Sequence, residues 1–180
     1  MLEAAGVRFE LTETSFDEAA AKAALAGESP AALAQALARG KALGVVTGDG
    51  LVLGADQVLE APDGTVLGKP ESPEALKNQL HLLSGREHAQ HSAAAIAADG
   101  AILWEATETA RLRMRELSES FIAEYAGRDF GANRTSAGGY RIEAEGAQLF
   151  ESIEGSHFAI LGLPLLPLLA FLRERGDLER

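Results

Sequence analysis

Four lysines occur in the 180-residue sequence, and two of them directly follow glycine, in Gly40-Lys41 and Gly68-Lys69-Pro70. A lysine beside a glycine and a rigid proline can hold its compact ammonium on a fixed loop against an anion such as phosphate. The plainer reading is a surface lysine whose aliphatic stem lies along apolar neighbours. Asp56 is more informative, because it ends the apolar run Leu51-Val52-Leu53-Gly54-Ala55, the pattern of a strand buried on both faces. Ligands of α/β sheets gather outside the carboxyl ends of strands. A carboxylate placed there, its pKa raised by burial, can bind a divalent cation or take a proton from an attacking water; it can equally cap a turn or a helix. Glu108 is the one charge on a strand face otherwise made of Ile102, Trp104, Ala106, Ala110, Leu112 and Met114. Buried charge is costly without a partner, so Glu108 could face Asp56 across a metal; a salt bridge or a solvated position explains it as well. The four histidines lack metal-ligand spacing, and serine-nucleophile, Walker and dinucleotide motifs are absent.

The elements that must carry these residues are legible from punctuation and period. Val7 to Leu11 alternates weakly and reads as a short strand, after which Asp17 and Glu18 precede an alanine-rich helical segment to Leu25. Ser29-Pro30 starts a helix towards Gly44, and Ser72-Pro73 another that ends at Gly85. Glu87–Ala98 and Ala101–Met114 read as two strands joined at Asp99-Gly100, a hairpin signal. Ser118 caps a helix to Ala126, Gly139 to Ile142 reads as a strand, and Pro164 opens the closing helix. Helices interleaved with parallel-type and hairpin-type strands predict an α/β fold with a mixed sheet, as a single two-lobed unit over residues 1–180.

With 27 acidic and 16 basic side chains, the net charge is −11, which repels a nucleic-acid backbone unless a basic patch is concentrated somewhere. Arg111, Arg113 and Arg115 alternate with Leu112 and Met114 and read instead as the wet face of a strand. No cysteine is present, which removes disulfides, thiolate metal sites and cysteine nucleophiles and fits a cytoplasmic setting. The uncharged stretch Phe158–Leu172 contains Pro164 and Pro167 and is shorter than the roughly 20 residues a membrane span needs. No signal-peptide pattern follows Met1.

Gly54-Ala55-Asp56-Gln57-Val58, Gly68-Lys69-Pro70, Leu83-Ser84-Gly85-Arg86 with His88, Gly139-Tyr140 and Gly162-Leu163-Pro164-Leu165 occur in this order. Together they resemble the Maf family of nucleoside triphosphate pyrophosphatases, over nearly everything from Leu2 to about Glu174. The resemblance implies a two-lobed α/β fold of the Maf and inosine-triphosphatase type. It also implies a cleft in which a nucleoside triphosphate is cut between its α and β phosphates with the help of Mg²⁺ or Mn²⁺. By motif match, Asp56 is then the proton acceptor or metal-linked base, Lys41 and Lys69 contact phosphate oxygens, and Glu18 occupies an acidic position of the same cleft. Gln57 and Glu143, with the downstream Gly146–Glu151 segment, look like the subgroup acting on 7-methyl-GTP. A carboxylate accepts from the N1 and N2 donors of a guanine edge, where a glutamine would pair with a pyrimidine imide. Homodimerisation is common in the family.

The sequence departs from the family pattern at its start, where members carry Ser-x-Ser-Pro-Arg-Arg and this sequence reads Met1-Leu2-Glu3-Ala4-Ala5-Gly6, with no adjacent arginines anywhere. Either the start is misassigned or this copy has decayed; in the second case each bidentate arginine–phosphate contact removed is worth about 1.5–3 kcal/mol. The expectation is a metal-dependent pyrophosphatase, with a catalytically impaired nucleotide-binding homologue as the alternative.

Overall fold

The computed structural model describes residues 1–46, 48, 50–128 and 130–179. Five strands form one sheet in the order β2-β1-β3-β4-β5: β1 (Val52–Glu60), β2 (Val66–Leu67), β3 (Glu87–Ala98), β4 (Ala101–Met114) and β5 (Phe150–Glu154). With the helices between them the fold is α/β, as expected. The chain divides into two compact units, Met1–Gln57, His91–Glu108 and Ser156–Arg180 in the first, Val58–Gln90 and Thr109–Gly155 in the second.

In the first unit lie α1 (Glu18–Ala24), α2 (Pro30–Leu43), α6 (His157–Ile160) and α7 (Leu165–Arg175). Asp17 and Ser29 cap α1 and α2 through their side chains, which satisfies backbone N–H groups that a helix start leaves bare. The buried residues Ala34, Ala38 and Ala42 recur every four positions and so form one row of small side chains along α2. That row lets α2 lie close on β1. A Cβ added at Gly54 would come within 3.0 Å of the Ala38 carbonyl oxygen and the Ala42 nitrogen. On the opposite face of the sheet Ala94 and Ile96 pack with Leu163, Leu165, Leu168 and Leu172, and Leu51, Leu53, Ala55 and Trp104 join them. Trp104 stacks on Phe171 of α7 at 5.4 Å between ring centroids.

The second unit holds α3 (Pro73–Leu83), α4 (Glu119–Arg128) and α5 (Phe130–Asn133). Ser72 and Ser118 cap α3 and α4 by accepting from Ala75 N at 3.1 Å and Phe121 N at 3.3 Å. Leu76, Leu80 and Leu83 of α3 are buried, as are Ile122, Tyr125 and Ala126 of α4, and the two helices pack together. β1 pairs antiparallel with β2 at Leu59↔Leu67, and β4 with β5 at Leu112↔Ile153.

The hairpin forms with the expected bounds, and exposure along β4 alternates without a break. Three local expectations fail for identifiable reasons. Val7 to Leu11 joins no strand; Val7 N bonds Leu2 O at 3.0 Å, closing the turn before it, and Leu11 stays 91% exposed. Gly139 to Ile142 is not a strand either, because Gly138 and Gly139 both sit at positive φ and fold the chain into a 3-10 turn over Ala137–Gly139. β5 leaves no signal in the sequence, because a short, exposed, charge-rich edge strand carries no apolar alternation.

Candidate functional site

Asp56 lies in the middle of β1, not at its end, because the ladder continues through Gln57 to Glu60. Alternation along the strand puts Gly54 and Asp56 on the α2 face. There the Lys41 ammonium donates to Asp56 Oδ1 and lies 3.0 Å from Glu18 Oε2. Glu18 Oε1 in turn takes the Lys22 ammonium at 2.6 Å, one helical turn away. Lys41 itself belongs to the last turn of α2, the helix that Ser29-Pro30 starts. The glycine before it serves packing: a Cβ at Gly40 would overlap the ring of Phe16. Three more bonds tie the segment ahead of α1 to the end of α2. Thr14 Oγ1 donates to Lys41 O at 3.2 Å, and Ser15 donates to Gly44 O from Oγ at 2.9 Å and from its backbone N at 3.0 Å. They occupy carbonyls that a helix end leaves without partners. This clamp delivers Glu18 to Lys41.

The three charges differ in solvation. Side-chain exposure is 9% for Asp56, 26% for Lys41 and 39% for Glu18. Burial raises the Asp56 pKa above the ordinary carboxylate value, against the Lys41 ammonium and helped by the negative charge of Glu18. Burial also works against the Lys41 ammonium, but its bonds to Asp56 and Glu18 outweigh it and hold the pKa up. Glu18 is pulled down to about 2, first by Lys22 and, against burial, by Lys41. The result is a desolvated carboxylate of raised basicity with an ammonium at its side. Such a group can accept a proton while the lysine balances the charge.

The remaining expected residues are placed elsewhere. Gln57 points to the other face, where its Nε2 donates to Ser92 Oγ at 3.0 Å, Ala159 O at 2.9 Å and Ile160 O at 2.8 Å. Its donors are thus filled by the protein, and it fastens α6 to the sheet. The fold does not bring Glu108 to Asp56. Glu105 and Thr107 bond Arg39 and Gln35 of α2, so alternation sends Trp104 and Glu108 to the α7 face. Glu108 Oε2 is buried there without a hydrogen-bond partner among the described residues. Among the described residues no group of three or more His, Asp or Glu is arranged to hold a metal. Lys69 lies in the second unit, exposed, with no acidic partner among the described residues. Glu143, in the same unit, is exposed and lies 3.9 Å from the Arg141 guanidinium. Two cavities of about 730 and 700 Å³ open in the first unit beside residues 51–53; Lys41 lines the second, and Asp56 lines neither.

A second polar group went unread in the sequence. His88, Gln90 and Ser92 are buried on β3; their spacing of two, in a strand otherwise rich in alanine, was the available signal. The Tyr140 hydroxyl sits 2.7 Å from His88 Nε2 and 2.7 Å from Gln90 Nε2. The amide donates to the hydroxyl, and the hydroxyl donates on to His88 Nε2 in the tautomer that carries the ring proton on Nδ1. Burial lowers the His88 pKa to about 4 and pushes the Tyr140 phenol far above its usual value. Between pH 6.5 and about 4 the unfolded chain therefore binds one more proton at this position than the folded one, so stability falls as pH falls through that window. About 2–3 kcal/mol is expected to be lost between pH 7 and 4.5. Urea midpoints at the two pH values check this against His88→Gln, whose carbonyl oxygen still accepts from Tyr140; the variant should lose that part of the slope.

An α/β protein carrying a half-buried carboxylate clamped by lysine is the class these elements define. The sequence matches the model of the Maf-like protein family over residues 1–175, and the chain belongs to that family. Over 180 residues it is 43% identical to a protein of Sphingopyxis alaskensis named nucleoside triphosphate pyrophosphatase, covering 98% of this chain and 91% of that protein. It is 44% identical over 183 residues to a 7-methyl-GTP pyrophosphatase of Rhizobium johnstonii, covering 99% and 92%, and 41% identical to one of Brucella abortus over the same shares. No helix among the described residues is long and apolar enough to cross a membrane.

Proposed function

We propose that this chain is a nucleoside triphosphate pyrophosphatase that hydrolyses the α–β phosphate bond to a nucleoside monophosphate and pyrophosphate, with 7-methyl-GTP-like substrates favoured. The observation that carries the proposal is the Asp56 carboxylate, desolvated and held by Lys41, in a chain whose relatives bear that name. Water attacks a phosphorus of the α–β anhydride, its proton passes to Asp56, and the bond to the leaving phosphate breaks. Lys41 balances charge at Asp56, Glu18 holds Lys41 in place, and the Lys69 ammonium, unpaired among the described residues, contacts phosphate. Glu143 accepts from the donor edge of the base.

The donor set suits Mg²⁺ or Mn²⁺ that arrives on the phosphates. Two carboxylates, Asp56 and Glu18, flank Lys41 without a three-ligand protein cage, and Mg²⁺ is commonly held by one or two carboxylates together with substrate phosphates. Bound there, the cation would stabilise charge developing on the phosphoryl oxygens. Pyrophosphate release from a panel of nucleoside triphosphates tests the assignment. Chelating the divalent cation is expected to lower the rate about a hundredfold or more. A second reading, a nucleotide-binding homologue with impaired turnover, is favoured by the charge count at Asp56. Lys41 and Lys22 are both matched by carboxylates. Nucleotide binding without pyrophosphate release would establish that reading.

A further inference from the structure

Within the second unit, Tyr140 stands at the head of a chain of contacts that ends at Lys69. Its ring meets the edge of Phe150 at 4.8 Å between centroids, and its hydroxyl is fixed by His88 and Gln90 of β3. Its carbonyl accepts from Ser136 Oγ at 2.6 Å, and Ser136 O accepts from Gly139 N at 3.1 Å. Both ends of the turn before Tyr140 are therefore tied. Gly139, at φ +66°, is pressed so close to α3 and the lysine loop that a Cβ there would overlap Leu76 Cδ1 and come within 3.2 Å of Pro70 Cγ. Pro70 is buried and directly follows Lys69. On the other side of that lysine, Gly68 O accepts from Gln79 Nε2 of α3 at 3.0 Å. The Lys69 backbone is thus pinned on both sides while its ammonium stays unpaired among the described residues.

We propose that Tyr140, locked by His88 and Gln90, is a positioning residue that fixes the Lys69 loop through Gly139 and Pro70, so that the ammonium meets substrate phosphate pre-placed. This rests on the reading of Lys69 as a phosphate contact. A flexible lysine must be immobilised on binding, and a prearranged backbone reduces that cost. Tyr140 is buried and its hydroxyl is engaged by His88 and Gln90, so on this proposal its whole effect on binding runs through Lys69.

A double-mutant cycle separates this from general support of the fold. The probe is the α,β-methylene analogue of GTP with Mg²⁺, read by calorimetry on the full chain, with turnover of 7-methyl-GTP measured in parallel. Lys69→Ala is expected to weaken binding about tenfold, as for a lost charged hydrogen bond. Tyr140→Phe, which removes only the hydroxyl, is expected to weaken it about fivefold, and the double variant no more than Lys69→Ala alone. His88→Gln, which keeps an acceptor for the hydroxyl, should bind within twofold of the wild type. Additive losses near fiftyfold, or a loss in His88→Gln equal to that of Tyr140→Phe, would overturn the proposal. A wild type that binds the analogue but cleaves no triphosphate defeats the pyrophosphatase reading alone, and the cycle on binding still decides the role of Tyr140. A wild type that binds nothing overturns both.

Discussion

Asp56→Asn is expected to lower pyrophosphate release about a thousandfold, within the range that a positioned general base contributes, while nucleotide binding is kept or tightened. The amide has nearly the shape of the carboxylate but cannot take the proton of the attacking water. It also removes the negative charge that the Lys41 ammonium now balances, which leaves that ammonium freer to attract phosphate. Loss of turnover with intact binding therefore distinguishes a chemical role from unfolding. The pH profile supplies a second signature. A base works when deprotonated, and burial raises the Asp56 pKa from its ordinary value, so the acid limb of kcat/KM in the wild type should lie above the ordinary aspartate value and vanish from the residual rate of the variant. In stability the two carboxylates act with opposite sign. Glu18, pulled down to about 2, contributes stability that is present above its unfolded value of 4.5 and is lost as pH falls between them. Asp56, pushed up, is bound by a proton more readily in the folded chain than in the unfolded one, so acidification through its range favours the fold. A variant with wild-type turnover would remove Asp56 from the chemistry altogether.

The parts of this molecule written in local chemistry were legible in its sequence. Ser29-Pro30 and Ser72-Pro73 announced α2 and α3, and Asp99-Gly100 announced the hairpin, because caps and turns depend on two or three adjacent residues. The motif order pointed to the family that the 1–175 match establishes. Asp56 and Lys41 were each singled out, but their pairing was not readable, since it depends on how closely α2 lies on β1. That closeness is set by Gly54 and the alanine row, none of which carries chemistry of its own. The face of Glu108 was unreadable for the same kind of reason. Its strand alternation was correct, but which helix covers which face is a tertiary matter, and α2 covers the Glu105 and Thr107 side. The motif resemblance alone marks Gln57 as a substrate contact. In the fold it faces backbone carbonyls of α6 that nothing in its neighbourhood along the chain foretells.

Gly54→Ala tests whether that backbone approach, and not the charged residues alone, builds the site. An added methyl at position 54 would lie within 3.0 Å of the carbonyl oxygen of Ala38 and of the backbone nitrogen of Ala42. No rotamer change relieves a clash with backbone, so α2 must back away from β1. Overpacking of this kind costs about 3 kcal/mol, which for a chain of this size lowers Tm by about 6–12 °C. The same displacement carries Lys41 away from Asp56, since both hang on the two elements being separated. A misplacement near 1 Å can cost about a hundredfold in rate, so the variant should lose activity even at temperatures where it remains folded. Ala42→Gly added to Gly54→Ala removes the Ala42 methyl but leaves the contacts with Ala38 O and Ala42 N, and it is expected to recover little of either loss. Full recovery by the second substitution would show that side-chain crowding governs the spacing, and an unperturbed single variant would show that β1 and α2 do not approach as closely as the Lys41–Asp56 pair requires.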